Sequence, residues 1–533
     1  MEKYTWLADL GNGTYQNPIL YTDYSDPDAI RVGEDYYMVA SSFNNAPAIP
    51  VLHSKDLVNW KIINYVLDAI PEQRYEKPIH GCGVWAPSIR YYEGTYYVCF
   101  PMPDEGIYMS TAKDPSGIWS KPINIRPGSG WIDPCPFWDN DGKAYLVAGV
   151  AKSRIGYKSV LHMVRMKPDG TGVFGEEVKI FDGNFNDQET IEGPKMYKRN
   201  GYYYIFAPAG GVKTGWQTVL RSRHIWGPYE YKVVMRQGET LVNGPHQGAW
   251  VDTVTGEDWF LHFQDVYAAG RITHLQPMTW REDWPIIGNE KLGADYGEPV
   301  SVYQKPNVGK TYEITAPATS DEFDQETLGL QWQWNANYKK EWYKINCEHK
   351  TLELRAVPCN GVEAVSELPN LLLQKWPAPE FICDMKMNVR NLQKGDYAGM
   401  VSMGVTFGGL LVQKNSKGQL LTSVYGHQEF NGQEVTAIQD AEQMTVWDQD
   451  EIYFRYEVKQ TDEKMDAETE HAPQEEITMY YSQDGIHYQK ALAIHAQAGR
   501  WVGVKLGMVC ATEKDSYHGY VEVEYVRYQS LNS

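Results

Sequence analysis

Residues 191–204 read IEGPKMYKRNGYYY. In this stretch a polar residue precedes a proline, a short apolar run follows, and a glycine turn leads into an aromatic segment typical of a β-strand. The same order recurs as DPDAIRVGEDYYMV at 26–39, WAPSIRYYEGTYY at 85–97, IDPCPFWDNDGKAYLV at 132–147 and GPHQGAWVDTVTGEDWFL at 244–261. Five copies spaced roughly 45–60 residues apart predict a five-bladed β-propeller, in which the first strand of each copy lines the central channel.

The remainder of the chain shows strand-like alternation without this repeat. The repeats end near residue 288, and a polar passage at 304–320 predicts a linker. Beyond it, segments such as LELRA at 352–356 and YVEVEY at 520–525 continue for about two hundred residues, which favours a β-sandwich. We therefore expect an all-β protein with a propeller at 1–303, a linker at 304–320 and a C-terminal β-sandwich domain at 321–533.

Composition narrows the range of partners. The 533-residue chain has 49 Lys and Arg against 69 Asp and Glu, a net charge of −20. Nucleic acids and anionic membrane surfaces attract basic residues, so we expect neither as a partner. No apolar run approaches the roughly 18 residues that cross a bilayer. The seven cysteines include no CxxC pair, and residues 1–6 lack the features of a signal peptide, so we expect a cytoplasmic location.

Three acids stand at the predicted channel end of the inner strands: Asp26, Asp133 and Glu192. A single Asp before Pro usually serves a turn by capping its own backbone. That explanation weakens here because the second repeat has Trp85 and no acid at this place, and because a Glu before Gly-Pro has no comparable turn role. Hydrolysis of a glycoside requires a carboxylic acid that protonates the leaving oxygen and a carboxylate that activates water or attacks. A third acid can raise the pKa of the proton donor.

Other side chains near these strand ends are candidates for binding a sugar. Phe43 and Trp85 could stack on a sugar face, and Arg271 could hold hydroxyl groups. A single aromatic residue is more often part of a core, but the clustering near inner-strand ends favours a binding role. His246 stands at the start of the fifth repeat and is predicted to face the channel axis. A lone histidine is usually a core residue whose hydrogen bonds are satisfied.

The chain resembles glycoside hydrolase family 43, and within it the β-xylosidase and α-L-arabinofuranosidase type that carries a C-terminal β-sandwich. The propeller motifs that carry the resemblance are YSDPD at 24–28, SSF at 41–43, WAP at 85–87, IDP at 132–134, EGP at 192–194, HQG at 246–248, LHFQD at 261–265, GR at 270–271 and HLQP at 274–277. In the sandwich they are QWQWN at 331–335, LQK at 373–375, SQDG at 482–485 and GRWVG at 499–503. The resemblance implies a concanavalin A-like jelly roll for the second domain.

The resemblance also implies a role for each acid. Asp26 would be the general base, Glu192 the general acid, and Asp133 the residue that tunes and orients the acid. The family inverts the anomeric centre, so we expect the carboxyl groups of Asp26 and Glu192 to lie about 6.5–9.5 Å apart, with a water molecule between them. A separation near 5 Å would instead indicate retention.

The expected activity is exo-acting release of terminal β-D-xylose, α-L-arabinofuranose or both from oligosaccharides derived from arabinoxylan, xyloglucan or xylan. Two alternatives stay open. One is an endo-acting α-1,5-L-arabinanase on the same propeller, against which the added sandwich speaks. The other is a carbohydrate-binding propeller without catalysis, for which three converging acids would have no use.

The resemblance further implies metal and loop features. A calcium ion is expected in the channel with His246 as its main protein contact and water as most of its ligands, because calcium prefers oxygen. A second calcium in the sandwich would use Glu322, Asp324, Glu522 and Glu524, although related chains often have Asp where Glu524 stands. No organic cofactor is expected, and a homo-oligomer is compatible with the sequence. The sandwich should cover the propeller mouth, and a loop of it could enter the pocket. The candidate for this loop is 509–513, for which an ordinary surface loop is the favoured alternative.

Overall fold

The computed structural model describes residues 4–291, 293–432, 434–461 and 474–531. Its first part contains five antiparallel sheets of four consecutive strands, arranged as the blades of a propeller. The strands are Asp28–Val32, Asp35–Val39, Ala48–Ser54 and Trp60–Leu67 in blade 1; Ser88–Tyr92, Thr95–Met102, Gly106–Ala112 and Ile123–Pro127 in blade 2; Trp131–Trp138, Ala144–Val150, Val160–Met166 and Val173–Asp182 in blade 3; Lys195–Arg199, Tyr202–Ala209, Trp216–Ser222 and Glu230–Met235 in blade 4; His246–Asp252, Asp258–Val266, Gly270–Arg281 and Trp284–Ile287 in blade 5. The five-bladed all-β prediction is confirmed.

Apolar packing between neighbouring blades holds the ring together. Each of five buried clusters contains side chains from two adjacent blades, and one of these clusters joins the fifth blade to the first. Blade strands are therefore buried on both faces, as in Ala144–Val150, in which all seven residues are buried. This double burial explains why the repeats read as apolar and aromatic runs.

The ends of the propeller are tied to each other. Thr14–Gln16 pairs antiparallel with Val302–Gln304, so the chain entering blade 1 meets the chain leaving blade 5. Two short strands, Asn289–Glu290 and Gly297–Glu298, extend the sheet of blade 4. Residues 305–320 contain no helix or strand, and Lys305 binds this segment to Asp9 and Asp56 of the propeller.

The second part is a sandwich of two sheets. One sheet contains Gln333–Trp334, Val357–Pro358, Leu372–Lys375, Asp396–Met403, Thr406–Asn415, Gly418–Asn431, Glu434–Trp447 and Lys505–Thr512. The other contains Tyr343–Asn346, Thr351–Arg355, Phe381–Asn388, Glu451–Thr461, Gln474–Ser482, Gln489–His495 and Tyr520–Ser530. We call them the eight-stranded and the seven-stranded sheet. A large buried cluster between them includes Trp334, Phe454 and Val523, which confirms the sandwich.

In the part of the chain that the structure describes, helical structure is limited to short turns. They are the α-helical turn Lys152–Ile155 and the 3₁₀ turns Gln73–Glu76, Gly183–Phe185, Tyr267–Ala269, Lys340–Trp342 and Val365–Glu367. Within the residues that the structure describes, no helix has the length and apolar character needed to span a bilayer. All seven cysteines are free thiols.

The sandwich contacts the propeller on the side where the inner strands begin. Ala46 and Trp334 exchange backbone hydrogen bonds of 3.1 and 2.6 Å, and the Val504 N–H donates to the Ala268 carbonyl at 2.7 Å. The prediction that residues 509–513 form a loop into the pocket is wrong. Residues 509–512 belong to the strand Lys505–Thr512, which is buried throughout because its apolar side chains pack on both faces of the eight-stranded sheet. The segment that reaches the propeller mouth is 497–504, just before this strand.

Candidate active site

Each acid lies at the start of its inner strand, where one residue has a left-handed backbone conformation. Asp26 and Asp133 have φ angles of 55° and 53°, and Gly193 holds the matching place in blade 4 with φ 59°. Asp tolerates this conformation better than most side chains, and glycine adopts it freely. A side chain on Gly193 would also come within 3.0 Å of the Gln247 side chain. The third acid is therefore displaced to the preceding residue, Glu192.

Asp26 is buried and held by three side-chain donors. Its Oδ2 accepts from Ser41 Oγ at 2.6 Å and from Ser25 Oγ at 3.1 Å. Its Oδ1 accepts from Arg271 Nη1 at 2.9 Å, and only 10% of the Arg271 side chain is exposed. A carboxylate held by a guanidinium and two hydroxyls has a fixed orientation and a compensating charge.

Asp133 connects the other two acids. Its Oδ2 accepts the N–H of Gly193 at 2.9 Å, so it contacts the residue that follows Glu192. Burial, together with the negative charge of Asp26, raises the pKa of Asp133 to about 6, while Lys195 and the Gly193 N–H act in the opposite direction. Asp133 therefore lies within electrostatic range of Asp26 and in contact with the backbone of the third acid.

Glu192 has about a quarter of its side chain exposed, 26%. Burial is the main cause that raises its pKa to about 8, and the charge of Asp133 adds to the effect, whereas Arg271 opposes it. Glu192 therefore keeps its proton near neutral pH. The structure thus brings together three acids from three blades, of which one keeps its proton near neutral pH and one is held by an arginine.

Aromatic rings from both domains stand beside the acids. The Trp85 ring lies 6.2 Å from Phe43 and 6.3 Å from Trp501 of the sandwich, measured between centroids. Phe43 is only 3% exposed, so its ring supports Trp85 and offers little surface to a sugar. Trp501 is 46% exposed, and the Arg271 guanidinium lies 5.7 Å from its ring centroid. Sequence reasoning missed Trp501 as a site residue, although the quoted GRWVG motif contains it.

A cavity of about 410 Å³ opens between the two domains at this point. Asp265 and Arg271 line it from the propeller, and Phe430, Arg500 and Trp501 line it from the sandwich. Its size is that of a pocket for a small ligand. It meets the acids through Arg271, which binds Asp26 on one side and borders the cavity on the other.

His246 does not form the centre of a direct metal site. Both ring nitrogens are buried without a hydrogen-bond partner, and Nε2 lies 3.5 Å from Glu192 Oε1. Burial, with the nearby charge of Arg271, lowers the pKa of His246 to about 3, so the ring is neutral. Among the described residues no group of three or more His, Cys, Asp or Glu side chains is arranged to hold a metal ion. One nitrogen donor does not suit direct calcium binding, and a hydrated ion held through water stays a prediction.

The predicted sandwich calcium site does not fit the contacts of its acids. Glu322 accepts two hydrogen bonds from Arg527 at 2.8 Å, and Glu524 lies 2.8 Å from the Lys386 ammonium. Cations of the chain itself therefore already compensate these two carboxylates.

Two family profiles match the chain. Residues 15–285 match "Glycosyl hydrolases family 43", and residues 320–529 match "Beta xylosidase C-terminal Concanavalin A-like domain". The two matches coincide with the propeller and the sandwich. The second confirms the concanavalin A-like class of the sandwich.

Curated relatives align over most of the chain. A Xylanibacter ruminicola protein, provisionally named a β-xylosidase, is 39% identical over 94% of this chain and 87% of its own length. A Formosa agariphila protein named β-xylosidase is 30% identical over 98% and 91%. A Bacteroides ovatus protein named as a non-reducing end α-L-arabinofuranosidase is 32% identical over 74% and 75%. Among solved structures, a variant of the Bacillus licheniformis GH43 protein BlXynB superposes with a TM-score of 0.79 at 25% identity, covering 97% of this chain and 100% of the other.

Proposed function

Because the chain belongs to glycosyl hydrolase family 43, we propose that it removes single terminal pentoses from hemicellulose fragments with inversion of the anomeric centre. The observation that carries the proposal is the pairing of a protonated acid, Glu192, with a carboxylate, Asp26, that Arg271 holds in place. A binding protein would have no need for an acid that keeps its proton near neutral pH beside a second acid that an arginine holds in place.

The reaction divides between these two groups. Glu192 gives its proton to the glycosidic oxygen while the bond from that oxygen to the anomeric carbon breaks. A water molecule attacks the same carbon from the opposite face, and its proton passes to Asp26. Asp133 is not required to exchange a proton in this scheme. Burial and the negative charge of Asp133 together keep the proton on Glu192, and Asp133 accepts the Gly193 N–H and so fixes the backbone beside that acid.

The domain arrangement supports exo action. The loop at 497–504 and the residue Phe430 form one wall of the pocket, so the mouth of the propeller is covered on that side by the sandwich. An open groove would let a polysaccharide pass through, whereas a walled pocket accepts a chain end. The wall that the sandwich adds to the pocket therefore favours an exo-acting enzyme over an endo-arabinanase.

We propose β-D-xylose as the leading sugar and α-L-arabinofuranose as the second. Two relatives that align over nearly the whole chain carry the name β-xylosidase, and one that aligns over about three quarters of it is named an arabinofuranosidase. Both sugars are pentoses with similar hydroxyl groups, so one pocket can accept either.

The test uses xylobiose, an aryl α-L-arabinofuranoside and linear arabinan as substrates. We expect release of xylose from xylobiose, slower release of arabinose from the aryl substrate, and no oligosaccharides from arabinan. Proton NMR at early times should show α-xylose as the first product. β-Xylose as the first product would mean that the anomeric configuration is retained and would contradict the mechanism. Release of oligosaccharides from arabinan would favour an endo-arabinanase.

The matched variants for this test are Glu192→Gln and Glu189→Gln. Glu192→Gln should lower turnover of xylobiose by about 10²–10⁴-fold because no proton donor remains. Glu189 is exposed on the same loop, and Glu189→Gln should leave turnover unchanged. Equal rates in all three proteins would refute the assignment of Glu192.

Two further expectations join the proposal. The free cysteines support a reducing, cytoplasmic location. The unpartnered nitrogens of His246 support a hydrated cation in the channel, which calcium titration followed by isothermal calorimetry would detect.

A further inference from the structure

Two lysines face each other where the eight-stranded sheet meets the propeller. Lys375 and Lys505 are direct cross-strand partners on the strands Leu372–Lys375 and Lys505–Thr512. Lys505 is only 5% exposed. Like charges directly opposite each other destabilise a sheet, and a buried ammonium without a partner is costly. The pair therefore requires compensation that the sheet itself does not supply.

The nearest carboxylate does not supply it to Lys505. The two oxygens of the Asp23 side chain accept the backbone N–H groups of Arg271 and Gly503 at 2.9 and 2.8 Å. Lys375 donates to the backbone carbonyl of Asp23. Among the described residues the side chain of Lys505 makes no hydrogen bond and no ion pair within 4 Å, although the charge of Asp23 lies near enough to act on it. The carboxylate of Asp23 thus lies near the ammonium groups of both lysines, but its two oxygens already accept hydrogen bonds from backbone N–H groups.

A small polar cavity lies beside Lys505. It has a volume of about 30 Å³ and is lined by Lys505, Gln428, His80 and Arg500, together with Asn44 and Asn45 of the propeller. A water molecule needs about 10–15 Å³ of such volume, so one or two water-sized species fit. The Nε2 of Gln428 is buried without a hydrogen-bond partner. The cavity therefore offers a cation and an unused N–H donor to its occupant.

We propose that this cavity binds a small monovalent anion, with chloride as the physiological representative, at the seam between the two domains. An anion supplies the negative charge that Lys505 lacks and accepts from the free Gln428 amide, whereas a water molecule supplies no charge. The other charged groups around the site are Lys375, Asp23, Arg500, and His80 with its partner Glu367 at 3.3 Å.

The location links the anion to the active site. The cavity is also lined by Gly499, Val502 and Gly503, which flank the Trp501 that stands in the catalytic pocket. A bound anion would hold this loop against the propeller. The site is defined by the cavity alone, so its occupancy can be tested whether or not the proposed glycosidase activity is correct.

The first experiment measures thermal unfolding while chloride replaces gluconate at constant ionic strength. Burial and the charge of Lys375 lower the pKa of Lys505 to about 7, so the assay is run at pH 6, where the ammonium is present. We expect Tm to rise with the logarithm of the chloride concentration above its Kd, by roughly 1–3 °C for each tenfold increase. The rise should disappear at pH 9, where Lys505 has lost its proton. A Tm that is equal in chloride and gluconate at pH 6 would overturn the proposal.

Variants and diffraction identify the site. Lys505→Met should abolish the chloride response, and the control Lys344→Met, which changes an exposed sandwich lysine, should keep it. Should Lys505→Met fail to fold, Gln428→Leu should weaken the response by removing one donor. Crystals of the unaltered protein soaked in bromide should show an anomalous peak within hydrogen-bond distance of Lys505 Nζ. Bromide found only at the surface would mean that the cavity holds water.

Discussion

Replacing Asp133 by Asn tests how the proton is kept on Glu192. The substitution removes one negative charge but keeps an oxygen that can accept the Gly193 N–H, now at 2.9 Å. Burial, the main cause of the raised Glu192 pKa, is unchanged, while the second cause, the charge of Asp133, is lost. The pKa of Glu192 should therefore fall and yet stay above its ordinary value.

The size of the change follows from the charge that is removed. A nearby carboxylate shifts the pKa of its neighbour by about 1–2 units, and each unit corresponds to about 1.4 kcal/mol. Because the general acid acts in its protonated form, activity is lost as pH rises through its pKa. In the unaltered protein that loss should begin near pH 8, the value to which Glu192 is raised. In Asp133→Asn it should begin about 1–2 pH units lower.

The assay is kcat/KM for xylobiose between pH 4 and 9.5. Xylobiose is chosen because its sugar leaving group needs protonation, whereas a nitrophenolate leaves without it. Asp141→Asn is the matched control, since Asp141 is an exposed acid in the first hairpin of the same blade and should leave the profile unmoved. A basic limb that stays in place in Asp133→Asn would refute the claim that Asp133 keeps the proton on Glu192.

Three other substitutions probe the surroundings of the acids. Arg271→Lys should lower kcat by roughly 10–100-fold, because the single amine of a lysine cannot replace the planar guanidinium that binds Asp26. Stopped assays at saturating xylobiose would measure kcat. An unchanged kcat would contradict the claim that Arg271 holds Asp26 in place. Trp501→Ala should raise KM for xylobiose more than it changes kcat, because the substitution removes part of the pocket wall. A loss confined to kcat would contradict a role of Trp501 in substrate binding. Lys195→Met should move the basic limb of the profile to lower pH, as Asp133→Asn does, because Lys195 lowers the Asp133 pKa and without it Asp133 takes up a proton and loses the charge that raises the Glu192 pKa. An unmoved basic limb would exclude this influence.

The repeated elements of the fold could be predicted from the sequence because each blade is a local unit. A turn residue, an inner strand and a hairpin lie within about twenty residues of one another, so the pattern at 191–204 contains most of what forms the start of blade 4. Even the displacement of Glu192 by one residue has a local cause, since Gly193 occupies the left-handed place that Asp26 and Asp133 hold elsewhere.

Contacts between distant parts of the chain could not be predicted in this way. Arg271 was expected near the substrate, but its bond to Asp26 joins residues 245 positions apart. Trp501 has a φ angle of 68°, which is rare for a bulky side chain and is maintained by the packing of its loop on the propeller. The stretch at 509–513 looked like a loop because nothing in its sequence shows that two layers of apolar side chains enclose it.

The roles that we propose for the three acids agree with the positions of the cations near them. Asp26 contacts Arg271 directly, so its charge is compensated where the water must be activated. Asp133 has no such contact. Lys195 is fully buried below the acids and donates to Ser88 Oγ at 2.9 Å, and it therefore acts on Asp133 only at a distance. Among the described residues no Lys or Arg forms an ion pair with Glu192, and burial, followed by the negative charges of Asp133 and Asp26, raises its pKa. Were Lys195 bonded to Asp133, the repulsion that keeps Glu192 protonated would weaken. Were Lys195 absent, Asp133 would take up a proton more readily and the same repulsion would be lost. A buried lysine that lowers the Asp133 pKa without bonding to Asp133 thus favours a charged Asp133 beside a Glu192 that keeps its proton.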